Sequence, residues 1–199
     1  MLHRIGERIP SNAMLIRADQ IDPYHAIVKN QLGNYQAEEG NYPEAMGFYQ
    51  MAIDLRPDEP LYHYQLGNLL FSYKNFFIDD KLFLPGGIDL EIQNRFRKAA
   101  VLAPAHLPYR LRYAQSFFDY PDSGKQEALE AWSRLDREFT ERSNTEKDYF
   151  KLCKARVLLE LNRKSDAMTL LKSVSSSALD SAKKSLILQL NDKVKSKDK

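Results

Sequence analysis

Small and apolar residues return along this chain at helical spacing, and they do so inside a larger repeating unit. After Leu32-Gly33 come Gly40, Tyr42, Ala45, Tyr49, Ala52 and Pro57, which read as one helix, a break, a second apolar stripe and a stop. The tetrapeptide Gln31-Leu32-Gly33-Asn34 then returns as Gln65-Leu66-Gly67-Asn68, 65 − 31 = 34 residues later, the length of one helix–turn–helix unit. Gly33 and Ala45 are the small residues that let paired helices approach, and Tyr49 is a knob between them. Pro57 cannot continue the second helix. No strand pattern with hairpin turns competes, so the pattern predicts an all-α chain.

The second unit keeps this register in its first helix and loses it before its second. Ala99 lies 99 − 52 = 47 residues after Ala52, and Pro104 lies 104 − 57 = 47 after Pro57, so 47 − 34 = 13 residues are inserted. The insertion falls near Asn75 to Gly87, where Pro85-Gly86-Gly87 is expected to stop a helix. Its Phe76, Phe77, Ile78, Leu82, Phe83 and Leu84 make it more apolar than a solvent-facing loop. It is expected to pack back through Phe77, Leu82 and Phe83, roofing one end of the surface between units two and three. The alternative is an exposed patch for a partner. A third unit is marked by Ala114, Phe117, Ala128 and Trp132, with a turn at Tyr120 to Gly124, and a fourth by Ala155, Leu158, Asn162, Ala167 and Leu171. Leu179, Ala182, Leu186 and Leu190 then predict an amphipathic capping helix.

The succession Leu-Gly, Ala-x3-aromatic, Pro resembles the tetratricopeptide repeat, most closely over Ala26 to Glu59 and traceably from Ile21 to Lys193. Lys29 and Gln36 stand where the family usually has aromatics. The resemblance implies an all-α right-handed solenoid of about four helical hairpins with a C-terminal capping helix. Residues 1–20 would be an N-terminal extension or cap, 21–193 the solenoid, and 194–199 a basic tail. In this family the first helix of each pair lines a concave groove that binds polypeptide. That register offers Ile27, Asn30 and Asn34, then Leu61, Tyr64, Gln65 and Asn68, then Leu111, Arg112 and Gln115, and finally Tyr149, Leu152 and Arg156 as exposed positions. The candidate binding residues among them are Asn30, Asn34, Tyr64, Gln65, Asn68, Arg112, Gln115 and Arg156. Amides can bond a peptide backbone from both donor and acceptor sides, and either arginine could fork onto a carboxylate. Family members that clamp the acidic tail of heat-shock chaperones place two lysines, two asparagines and an arginine there. Here Asn34 and Arg112 fit, but Asn30, Gln65 and Pro108 take the other places, and the lost lysines argue against that ligand.

Composition leaves this reading in place. The chain has 199 residues, 43% hydrophobic and 28% charged, within the range of one ordinary globular domain. A net charge of +2 gives no basic field for nucleic acid, and the lysines of the tail read as a solvated terminus. The lone Cys153 excludes an internal disulfide and has no histidine near it in sequence. His3, His25, His63 and His106 never pair at metal-ligand spacing, and Gly86-Gly87 lacks the rest of a phosphate loop. No enzyme motif, cofactor or metal is expected. No apolar run reaches membrane-span length, and Met1 to Pro10 is too polar for a secretory signal. A cytoplasmic location follows, or a periplasmic one if a native signal is missing. Ser11-Asn12-Ala13 before Met14 resembles a cleavage remnant, which would place residues before Met14 outside the native fold. The expected function is a non-catalytic protein- or peptide-binding adaptor whose partner and oligomeric state the sequence does not fix. The alternative is a regulatory or substrate-positioning module of a separate enzyme, one acting on cell-envelope material.

Overall fold

A computed structural model describes residues 3–120 and 124–195. The middle of the turn expected at Tyr120 to Gly124 and the last residues of the basic tail lie outside the described residues. The architecture is all-α, of the helical-repeat solenoid class. The helices are α1 (His3–Ile21), α2 (Ala26–Glu38), α3 (Tyr42–Leu55), α4 (Pro60–Ser72), α5 (Lys74–Asp79), α6 (Pro85–Leu102), α7 (Leu107–Asp119), α8 (Lys125–Glu138), α9 (Asn144–Glu160), α10 (Lys164–Ser173) and α11 (Asp180–Lys195). They fall into two compact units, Met1–Tyr109 and Arg110–Lys199.

In the first unit, α2 pairs with α3 and α4 with α6. A Cβ added at Gly33 would stand 2.7 Å from the Tyr49 ring, and one at Gly67 would stand 2.8 Å from Phe96. Only glycine lets an aromatic knob of the second helix lie this close to the backbone of the first. Ala45, Ala52 and Ala99 are fully buried around these contacts. The α2–α3 turn closes on Gly40, whose φ of +85° glycine adopts without strain, while the Asn41 amide donates back to the Gln36 carbonyl at 2.9 Å. The Gln36 side chain accepts from the Asn41 amide side chain at 2.7 Å. That bond accounts for a polar residue at a position where the family favours an aromatic.

Lys29, the other departure, is buried beside α1. Its ammonium pairs with Asp19 at 2.7 Å and lies 6.0 Å from the Phe48 ring. The extension therefore continues the helical stack as α1, and it supplies the carboxylate that makes a lysine tolerable at this depth.

The insertion is spent differently from the expectation. Pro85-Gly86-Gly87 does not stop a helix; it forms the first turn of α6, with Pro85 at a position that needs no amide hydrogen. α6 has 18 residues against 14 in α3, so one extra turn absorbs four inserted residues, and α5 with its flanking loop absorbs the rest. Phe77 is fully buried, edge-on to Phe76 at 5.8 Å and to Phe83 at 6.2 Å. Leu82 and Leu84 remain in solvent, so Leu82 is not one of the packing residues. The contacts also run to the first repeat. Tyr42 at the start of α3 stacks on Tyr73 at 3.7 Å and meets Phe76 edge-on at 5.1 Å. Lys74 pairs with Asp89 of α6 at 2.5 Å. Aromatic contacts with Tyr42 thus tie the start of α5 to repeat one.

In the second unit, α9 pairs with α10, and Leu152, Leu158, Ala167, Leu171, Leu186 and Leu190 form one apolar cluster with α11. Of the stripe expected on the capping helix, Leu186 and Leu190 are buried and Leu179 is half-buried, while Ala182 is exposed. The α9–α10 turn repeats the device at Gly40, with Asn162 at φ +61° and the Arg163 amide bonded to the Leu158 carbonyl at 2.8 Å. α9 opens on a reciprocal cap in which Ser143 and Glu146 satisfy each other's backbone amides.

Asp148, buried in the first turns of α9, fastens the chain after α10. One carboxylate oxygen accepts from the Ser175 and Ser176 amides at 2.7 and 2.9 Å and from the Ser175 hydroxyl at 3.0 Å, and the other accepts from Lys151 at 2.8 Å. The Lys151 bond, followed by those serine donors, outweighs burial and holds this carboxyl well below the usual carboxylate range.

Gly33→Leu should overpack the Tyr49 contact and lower stability by about 1–3 kcal/mol in urea unfolding, with an unchanged transition midpoint ruling out this register. Asp148 has a depressed pKa, so its contribution is fully present above the ordinary carboxylate pKa and is lost as pH falls through its folded value. Asp148→Asn should therefore cost about 1.5–3 kcal/mol at pH 7, the scale of hydrogen bonds to a charged group. The difference from wild type should shrink in strong acid, and a gap that widens on acidification would contradict the assignment.

Candidate functional site

The first-helix face of the first unit is organised by Asn34. Its Oδ1 accepts from the Tyr49 hydroxyl at 2.7 Å and from Gln65 Nε2 at 2.8 Å, and its Nδ2 donates to Gln31 Oε1 at 3.4 Å. Burial, then the charge of Glu38, pushes Tyr49 up to about 12, so its hydroxyl keeps its proton and donates. One amide thereby joins the second helix of its own repeat to the first helix of the next. Asn34 closes the first copy of the Gln-Leu-Gly-Asn quartet and Gln65 opens the second, and that repetition is the one signal from which the bond could have been anticipated.

Around this bridge the expected residues divide. Asn30 is 2% exposed and Leu152 8% exposed, so neither is the open position that the register implied. α2 is flanked by α1 and α3 and reached by α4 through Gln65, which leaves only a narrow strip of it in solvent. Leu152 is covered by the cluster that seats α11. Asn30 Oδ1 and Gln65 Oε1 are buried acceptors without a hydrogen-bond partner among the described residues. Each costs about 1–3 kcal/mol of stability. Ile27 and Leu61 are exposed, and Tyr64 and Asn68 are half-exposed beside them. Tyr64 rests on Tyr109 and Phe96, with ring centroids 4.7 and 5.9 Å away. Asn68 makes no side-chain hydrogen bond among the described residues.

The second unit carries the remaining candidates. Arg112 does not extend a free fork, because its Nη1 already donates to Asp119 at 2.8 Å. Gln115 Nε2 donates to the Tyr149 hydroxyl at 3.3 Å. Arg156 is half in solvent, with its guanidinium 4.1 Å from the Phe118 ring centroid and its Nε 3.7 Å from Glu160. Beneath them Trp132 is fully buried, stacked against Phe118 and edge-on to Tyr149. Cys153 is buried next to Tyr149, and burial pushes its thiol up to about 12, far from the thiolate character of a nucleophile. Among the described residues no three His, Cys, Asp or Glu side chains gather as metal ligands, and no helix is long and apolar enough to cross a membrane.

Stacked helical hairpins with amide-bearing first helices define a helical-repeat protein, and residues 30–72 match the TPR repeat family. Residues 30–72 thus carry the tetratricopeptide repeat, and the chain has a helical-repeat solenoid fold. The solved structures agree. The MamA RS-1 ArsTM double mutant superposes with a TM-score of 0.59 at 15% identity, covering 86% of this chain and 85% of that one. MamA itself superposes at 0.57 and 12% identity, covering 97% and 94%. TTC0263, a thermophilic TPR protein of Thermus thermophilus, superposes at 0.50 and 14% identity, covering 94% of each chain. At these identities the likeness is one of fold. No curated protein matches the chain.

Asn34→Ala should leave the Tyr49 hydroxyl buried without an acceptor and lower stability by about 1–3 kcal/mol. Tyr49→Phe in that background should recover part of the loss. A double variant no more stable than Asn34→Ala alone would show that the bridge carries no energy.

Proposed function

We propose that the protein is a non-catalytic scaffold that binds an extended polypeptide segment on the first-helix face of its repeats. The observation that carries this reading is the α2–α4 seam of the first unit. The Asn34 bridge joins its two helices, and Ile27 and Leu61 lie exposed, with Tyr64 and Asn68 half-exposed, on the same two helices. A peptide backbone supplies carbonyls for the half-exposed Asn68 amide, while its side chains cover Ile27 and Leu61. Gln115 and Arg156 extend the same reading to the second unit. The tetratricopeptide fold supports it, since these helical repeats build extended surfaces for other polypeptides.

The test uses substitutions that leave the Asn34 bridge alone. Partners recovered by affinity capture with the wild-type chain should bind a Leu61→Asp, Asn68→Ala variant at least about tenfold more weakly, a difference of about 1.4 kcal/mol. The variant should keep its helical circular dichroism, because both side chains reach solvent. Unchanged affinity in the folded variant would refute the assignment of this face.

A further inference from the structure

The first unit also holds a charged cleft that belongs to neither the Asn34 seam nor the core. It has a volume of about 570 Å³ and runs along α6, with His63 of α4 at its buried end. Arg95, Arg97 and Lys98 give its lining three positive charges against the single negative charge of Glu91. Arg95 is held by the protein itself. Its Nε donates to Glu91 at 2.6 Å, its Nη2 to Gln50 at 3.2 Å, and its Nη1 approaches His63 Nδ1 at 3.5 Å. His63 Nε2 donates in turn to the Pro57 carbonyl at 2.9 Å.

Burial first, then the charges of Arg95 and Lys98, hold His63 below its ordinary pKa, while the Pro57 bond and Glu91 oppose them. The ring is therefore neutral, with its proton on Nε2, and it adds no charge to the cleft. Arg97 and Lys98 are exposed and make no ion pair among the described residues. The positive charge available to a ligand comes from these two.

We propose that this cleft is a second binding site, separate from the first-helix face, which takes an acidic stretch of a partner polypeptide. The shape of the lining favours a peptide over a small anion. Asn94, Arg97, Lys98 and Val101 are all exposed on one face of α6 and follow one another at helical spacing. From 94 to 101 the helix rises about 10.5 Å, the span of roughly three residues of extended chain. Along that length a peptide meets an amide, two cations and an apolar side chain in order. Neighbouring carboxylates would reach Arg97 and Lys98, the Asn94 amide would bond the backbone, and Val101 would pack against an aliphatic stem. Because the site stands on the second helix of its pair, a scaffold could hold an acidic segment here while its first-helix face is occupied.

The experiment follows the full-length, isotope-labelled protein by NMR at about 0.15 M salt while an acetylated hexaglutamate peptide is added, with hexaglutamine and inorganic phosphate as comparison titrations. Hexaglutamate should give saturable shifts in the amides of residues 94–101 and in the His63 ring, and hexaglutamine should give none. An Arg97→Glu, Lys98→Glu variant should keep its melting temperature, since both side chains are exposed, and bind hexaglutamate at least tenfold more weakly. Shifts that avoid α6, or an affinity unchanged in that variant, would overturn the proposal. So would phosphate reproducing the α6 shifts while hexaglutamate gives none, which would make the cleft a small-anion site.

Discussion

The rest of the first unit depends on an aromatic ring resting where a side chain would otherwise begin. Tyr49 lies against the backbone at Gly33, and Phe96 lies against the backbone at Gly67, each at a distance that a Cβ would not permit. The close approach brings the helices of a pair together, lets small alanines fill the remaining space, and fixes which face of the first helix points away from its partner. That outward face carries the side chains that solvent reaches. A repeat cannot bury its apolar surface alone, so the same contact also sets how one pair is presented to the next.

Most of the pairing was legible because packing of this kind leaves a mark in residue size. Leu32-Gly33, Ala45 and Tyr49 name the contact directly, and Asn162 names a turn that needs a positive φ. The polar contacts were less legible because each depends on a partner that spacing does not reveal. Lys29 looked like a defect until Asp19 of α1 stood beside it. No spacing singles out Asp148, although it fastens the Ser175-Ser176 backbone to α9. Pro85-Gly86-Gly87 misled for another reason. The same residues that end a helix can begin one, since the first turn has no use for the amide hydrogens that proline lacks.

The candidate binding residues show the same division. Register placed them on α2, α4, α7 and α9 but could not tell which amides the protein had already used. Asn34 is committed twice over, Gln115 is engaged by Tyr149, and Arg112 is drawn to Asp119. The most accessible chemistry lies with Ile27, Leu61, Tyr64 and Asn68 in the first unit and Arg156 in the second. A face read from spacing alone is thus wider than the face that solvent reaches.

Asn34 and Asn68 hold the same place in the two copies of the quartet, yet they live differently. Tyr49 follows Asn34 by 15 residues and Phe96 follows Asn68 by 28, and the 13-residue insertion accounts for the difference, so the two rings are counterparts. Tyr49 brings a hydroxyl to its asparagine; Phe96 brings none. One oxygen atom therefore separates an asparagine that serves as a rivet between helices from one whose amide makes no side-chain hydrogen bond among the described residues. The two repeats share the shape of the contact, and the missing hydroxyl on the second ring leaves a vacant hand where the first has a structural clasp.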